Sequence, residues 1–170
     1  MAIALLSGIL LQAQGIYQLW GMTNEGGVDI GGVIFKTDGA GNHLQVKKQF
    51  GSYISYNGSR PQGSLTFHDR MLYGMTQSGG IDGSGVIFEW NLFTNVYTKK
   101  LDLGPELGIY PTGSLTLSGN KFYGMTSGLF GGGTIFGWDP LTNIFTKMLS
   151  FIGQNGAEPF GNLTEWNGML

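Results

Sequence analysis

Three short segments recur three times in the same order along this chain, and that repetition limits the fold more than any other feature. The first is an aromatic residue followed by Gly-Met-Thr: Trp20-Gly21-Met22-Thr23, Tyr73-Gly74-Met75-Thr76 and Tyr123-Gly124-Met125-Thr126, spaced by 53 and 50 residues. The second is Gly32-Val33-Ile34-Phe35, Gly85-Val86-Ile87-Phe88 and Gly133-Thr134-Ile135-Phe136, spaced by 53 and 48. The third is Gly63-Ser64-Leu65-Thr66, Gly113-Ser114-Leu115-Thr116 and Gly161-Asn162-Leu163-Thr164, spaced by 50 and 48. A period of this length marks a supersecondary unit that buries its apolar surface against copies of itself.

Each unit divides into four strand-like runs rich in β-branched and aromatic residues. In the third copy they are A (Asn162 to Glu165), B (Lys121 to Thr126), C (Thr134 to Trp138) and D (Ile144 to Phe151). Turn chemistry separates them, as in Trp138-Asp139-Pro140-Leu141-Thr142-Asn143, its counterpart Trp90-Asn91-Leu92-Phe93-Thr94-Asn95, and Thr37-Asp38-Gly39-Ala40-Gly41-Asn42 in the first copy. Runs such as Val86-Ile87-Phe88 are apolar without alternation, which suits a strand covered on both faces. A β-sandwich gives no reason for three repeated anchors, and a β-solenoid coil has a shorter repeat. The sequence therefore predicts an all-β fold of tandem four-stranded antiparallel blades of β-propeller type, about three of them, at roughly 19–71, 72–121 and 122–170. The runs read B-C-D, A-B-C-D, A-B-C-D, A, and propellers hold about four to eight blades. A partial or oligomer-completed propeller is expected, closed by further blades or by a second copy of the chain, with truncation of a longer array the stronger of the two readings.

Composition narrows the function. The chain is 41% hydrophobic and only 12% charged, with 31 Gly, 5 Pro and a net charge of −2. Nine Lys and Arg residues without a basic run give no footprint for nucleic acid. The lack of Cys removes disulfides, thiolate metal sites and Cys nucleophiles. Residues 1–14 resemble a secretory signal peptide, since Ala2 to Leu11 form an apolar stretch followed by Ala13, and the stretch is too short to span a bilayer.

Candidate chemistry is sparse. Asp29 and Asp82 occupy matching Gly-rich loops where a carboxylate among backbone carbonyls suits a hard cation. The third such loop has no acid, so turn formation is the stronger reading, and neither a metal nor another cofactor is expected. His43 and His68 stand in unlike parts of the repeat, which disfavours a zinc site. Ser64 and Ser114 recur as part of an anchor, with Asn162 in the last copy, which is structural rather than nucleophilic behaviour. Carboxylates for glycoside hydrolysis would be drawn from Asp102, Glu106 and Glu158 in the D-to-A connections. Trp20, Tyr73 and Tyr123 match across repeats, as do Trp90 and Trp138; exposed, these rings would face a sugar or a protein, while buried they would pack between blades.

Leu72-Tyr73-Gly74-Met75-Thr76, the loop Gly79-Gly80-Ile81-Asp82-Gly83-Ser84, the run Gly85-Val86-Ile87-Phe88 and Pro111-Thr112-Gly113-Ser114-Leu115-Thr116 together resemble the GloVer (Gloeo/Verruco) tandem-repeat family. That resemblance implies a kelch-like or propeller-like repeat of exported bacterial proteins, placed outside the cell or on its surface, and it implies no catalytic residue. The expectation is an exported, non-catalytic binding or surface-scaffold module for a cell-surface protein or carbohydrate, with no membrane span. The alternative is an extracellular polysaccharide-acting enzyme, a glycoside hydrolase or lyase, on the same scaffold.

Overall fold

The computed structural model describes residues 17–129 and 132–166, so the signal-like segment lies outside the described residues. Among these residues, eleven strands form three antiparallel sheets, each a simple meander, and no helix is long and apolar enough to cross a membrane. Sheet 1 holds β1 (Gln18–Thr23), β2 (Val33–Asp38) and β3 (Gln45–Gln49). Sheet 2 holds β4 (Thr66–His68), β5 (Met71–Thr76), β6 (Val86–Asn91) and β7 (Val96–Asp102). Sheet 3 holds β8 (Thr116–Ser118), β9 (Lys121–Thr126), β10 (Thr134–Trp138) and β11 (Phe145–Ser150). Runs B, C and D of each copy are thus the last three strands of a sheet, and among the described residues the sheets do not close into a ring.

The first two anchors are one device. Gly74 pairs with Phe88 across β5 and β6, and a Cβ on Gly74 would sit 2.5 Å from Phe88 Cζ. Gly21 and Gly124 make the same space for Phe35 and Phe136. The Thr that ends the first anchor closes the loop to the second. Thr23 Oγ1 accepts from the Val33 N–H and Thr76 Oγ1 from the Val86 N–H, both at 3.2 Å. Where Thr134 replaces Val, its hydroxyl pairs with that of Thr126 at 2.8 Å.

Two cores fill the spaces between sheets. Ile34 of sheet 1 and Phe50, just after β3, meet Leu72, Val86, Phe88 and Trp90 from sheet 2. Tyr73, Met75 and Ile87 of sheet 2 and Leu103, just after β7, meet Phe122, Phe136 and Trp138 of sheet 3 and Leu115, just before β8. Val86, Ile87 and Phe88 are fully buried because the middle sheet is covered on both faces, as its non-alternating sequence requires.

The third anchor differs from its expected form. Strand pairing begins only at Thr66 and Thr116, and Asn162 to Glu165 is irregular rather than a strand. The Gly-Ser and Gly-Asn segments stack across sheets by side-chain bonds instead. The Ser64 N–H donates to Ser114 Oγ, and the Ser114 N–H donates to Asn162 Oδ1, both at 2.6 Å. The Thr116 hydroxyl donates to the Leu163 carbonyl at 2.7 Å. Asn therefore replaces Ser in the last copy without loss, because the ladder asks only for a side-chain oxygen acceptor.

The C–D hairpins supply an internal control on charge. Asp139 accepts the Leu141 and Thr142 N–H groups at 2.9 and 3.2 Å, while Asn91 accepts those of Phe93 and Thr94 at 2.8 and 3.0 Å. The backbone bonds from Thr142 and then Leu141 hold the Asp139 carboxyl below its ordinary value. Its contribution to stability is present above the unfolded carboxylate range, about 3.9, and is lost as pH falls through the lowered folded value. Asp139→Asn is expected to leave stability at neutral pH unchanged and to flatten the acid limb of a melting-temperature profile. An unaltered acid limb would assign the loss to other carboxylates.

Candidate binding surface

Strand direction divides the stack into two ends. The A–B and C–D hairpins lie at one end, and the B–C loops and D–A connections lie at the other.

At the hairpin end, a cleft of about 260 Å³ runs between sheets 2 and 3, lined by His68, Tyr73, Glu89 and Lys100 on one side and by Asn120 and Leu141 on the other. Lys100 reaches it because the C–D register shifts between Ile87 and Phe88, leaving one extra residue on β7. The same shift recurs between Ile34 and Phe35 and between Ile135 and Phe136, so Lys47, Lys100 and Met148 are the extra residues. Lys100 pairs with Glu89 at 3.4 Å. Burial, with the nearby Glu89 and Asp69 charges, pushes the Tyr73 phenol up. The aromatic floor is fixed by the repeat, whereas the charged wall is not: Gly137 stands where sheet 2 has Glu89.

At the opposite end, backbone brackets bind each blade to the next. Arg60, Tyr110 and Glu158 each precede a proline, and all three hold positive φ, at 58°, 58° and 45°. Their N–H groups donate to the carbonyls of Gly31, Ser84 and Gly132 at 2.8, 3.0 and 2.8 Å. The carbonyls of Arg60 and Tyr110 accept from Gln77 and Ser127 of the following blade, both at 3.0 Å. A basic, an aromatic and an acidic residue fill the same position, so the position serves through its backbone.

Asp102 has a similar explanation. Its carboxylate accepts the Ile81 N–H at 3.0 Å and pairs with Lys99 at 2.8 Å. Gln49, at the matching place on β3, accepts the Val28 N–H at 2.7 Å, so this loop clasp needs an oxygen and not a charge. Glu106 is exposed in its connection. Asp29 and Asp82 are also exposed, and no group of three or more metal-binding side chains occurs among the described residues. His43 Nδ1 lies 2.8 Å from Asp38 on the surface, and the His68 ring stands edge-on to Phe122 at 5.9 Å.

The matched aromatics go mostly into the cores. Tyr73, Trp90 and Trp138 are exposed by 6% or less, so most of each ring is taken up by packing. Trp138 Nε1 donates to Asn143 at 3.0 Å, whereas Trp90 Nε1 is buried without a hydrogen-bond partner. Trp20 packs half-buried against Trp90 at 6.3 Å. Tyr123, also half-buried, lines a groove on the outer face of sheet 3. These rings repeat because every junction between blades needs them.

Exposed aromatics occur elsewhere. The D–A connection of the first blade has seven residues between Phe50 and Gly58, against four in each of the other two. It presents Tyr53, Ile54 and Tyr56 to solvent, the middle one 89% exposed. Arg60 lies 4.1 Å over the Tyr53 ring and Lys99 3.1 Å over that of Tyr56. The loop is held rather than loose. The Tyr97 hydroxyl donates to the Asn57 carbonyl at 2.6 Å and the Gly80 N–H to Ser55 at 2.9 Å. Burial, aided by Asp102, raises the Tyr97 phenol far above its ordinary range, so it remains a donor. The signal for this loop is in the sequence, as the spacing of 53 rather than 50 between the first two aromatic anchors.

No curated protein matches the chain. The repeat described as Gloeobacter/Verrucomicrobia matches it over residues 6–170. Three copies of the anchors, folded as three blade-like sheets beneath that match, place this chain in the Gloeobacter/Verrucomicrobia repeat family.

Proposed function

We propose that this chain is an exported, non-catalytic binding and scaffold module of the bacterial surface, whose contact residues sit on the Tyr53–Tyr56 connection. The observation that carries this reading is the three-residue extension in one connection of an otherwise regular repeat, which places two tyrosines and an isoleucine in solvent beside Arg60. In repeat proteins such insertions map to one face, often the binding face. Tyr and Arg are also the residues that most often dominate binding energy. The ligand class is a cell-surface carbohydrate or protein, met by flat amphipathic rings.

Two of the three candidate carboxylates of the polysaccharide-enzyme alternative hold positions that other residues fill elsewhere in the repeat, since Gln49 does the work of Asp102, and Arg60 and Tyr110 stand where Glu158 does. A glycan array and a hydrolase panel, run on the full chain, separate the two readings. Binding without turnover is expected, and a Tyr53→Ala/Tyr56→Ala variant is expected to bind at least about tenfold more weakly, in line with about 2 kcal/mol for a hot-spot ring. Turnover abolished by Asp102→Asn, Glu106→Gln or Glu158→Gln would overturn the proposal.

A further inference from the structure

The two internal junctions show what each face of a blade does. On the face turned to the preceding blade, Leu72 and Phe88 of sheet 2 and Phe122 and Phe136 of sheet 3 are exposed by 5% or less. On the face turned to the following blade, Ile34 and Ile87 are fully buried and Tyr73 nearly so. The same positions are more exposed at the two outer faces of the described stack. Leu19, the counterpart of Leu72 and Phe122, is 52% exposed, and Leu149, the counterpart of Leu101, is 40% exposed. Phe35 and Ile135 are only half-buried. On the outer face of sheet 3, Tyr123, Ile144 and Met148 line an open groove of about 260 Å³. It is the counterpart of the cleft over Tyr73, which Asn120 and Leu141 of the following blade close.

We propose that these two outer faces pair head to tail with those of a second copy of this chain, two chains forming one ring of six blades. The occupant follows from the repeat, because the outer faces are the two halves of the junction that the chain already makes twice within itself. A blade of the same kind is the surface each half is shaped to meet. The backbone bracket continues in the same sense: Glu158 stands where Arg60 and Tyr110 offer their carbonyls to Gln77 and Ser127, and Asn24 is the residue of the first blade that matches those two. A head-to-tail contact closes only if rotation about the axis returns to its start. Six blades lie within the usual range for propellers, and a two-fold axis along the ring makes both new junctions identical. Both Tyr53–Tyr56 connections then lie on one face of the ring.

Light scattering on the full chain at micromolar concentration is expected to give the mass of two chains. Leu19→Lys and Leu149→Lys, each at an exposed position on one outer face, are each expected to weaken the dimer at least about 100-fold. Circular dichroism and melting checks that each variant folds. Mixed in equal amounts, the two variants are expected to form heterodimers, because one junction between them keeps both native faces. Wild-type chains that stay monomeric, a ladder of larger species, or folded variants that fail to rescue each other would overturn the proposal.

Discussion

Phe88→Ala is expected to lower the unfolding free energy by about 3–5 kcal/mol, the range for deleting a fully buried aromatic ring. The ring is 0% exposed and lies 5.6 Å from Phe50 of the preceding blade and 5.1 Å from Tyr97 of its own. It also covers Gly74, so its removal opens a void against a residue with no side chain to fill it. Phe93→Ala, at a position 82% exposed on the neighbouring hairpin, is expected to change stability by less than about 0.5 kcal/mol. Urea titrations of both variants test the contrast. In a stacked array the loss is concentrated at one nearest-neighbour junction, so a broadened or two-step transition for Phe88→Ala is also expected. A loss below about 1 kcal/mol would mean that sheets 1 and 2 do not share a core.

Gly113→Ala is expected to be nearly as severe, by a different route. A Cβ there would lie 1.7 Å from the Gly161 carbonyl oxygen and 3.1 Å from Asn162 Oδ1, the atom that accepts the Ser114 N–H. The nearest obstacle is backbone and has no rotamer to change. The two segments must separate, breaking the ladder that joins sheet 3 to the segment beyond it. A loss of about 3 kcal/mol or more is expected, at the upper end for overpacking. Gly119 is the matched control: its φ is +59° and nothing lies within 4 Å of an added Cβ. Gly119→Ala should therefore show only the left-handed backbone penalty, about 1–2 kcal/mol. Thermal unfolding that ranks the two variants equally would show that the inner stack is not close-packed.

Repetition is a mark of scaffolding here, of a side chain where the residue recurs and of a backbone or oxygen role where it does not. Ser64 and Ser114 serve a ladder, Asp102 clasps a loop, Glu158 holds a backbone bracket, and Tyr73, Trp90 and Trp138 fill junctions. The exposed Tyr53 and Tyr56 have no counterpart in the other copies. They were visible only as three extra residues in one period, which does not reveal which connection lengthens or which way its side chains turn.

The sequence alone determined the all-β class, the three blade-like units, the positions of their B, C and D strands and the polar hairpins between them. Those depend on local chemistry: β-branched and aromatic runs, turn residues, and a period repeated three times. The tertiary structure alone decided which neighbour each apolar residue meets. Alternation assigns Tyr73 and Leu72 to opposite faces but does not say that one faces sheet 3 and the other sheet 1. Nor does it reveal the register shift after Ile87, which adds one residue to β7 and turns Lys100 into the cleft beside Glu89. The brackets at Arg60, Tyr110 and Glu158 were equally hidden, because backbone groups make them and three unlike side chains carry the same positive φ. Bonds between backbones distant in sequence leave no mark on residue type, and only the folded stack brings their partners together.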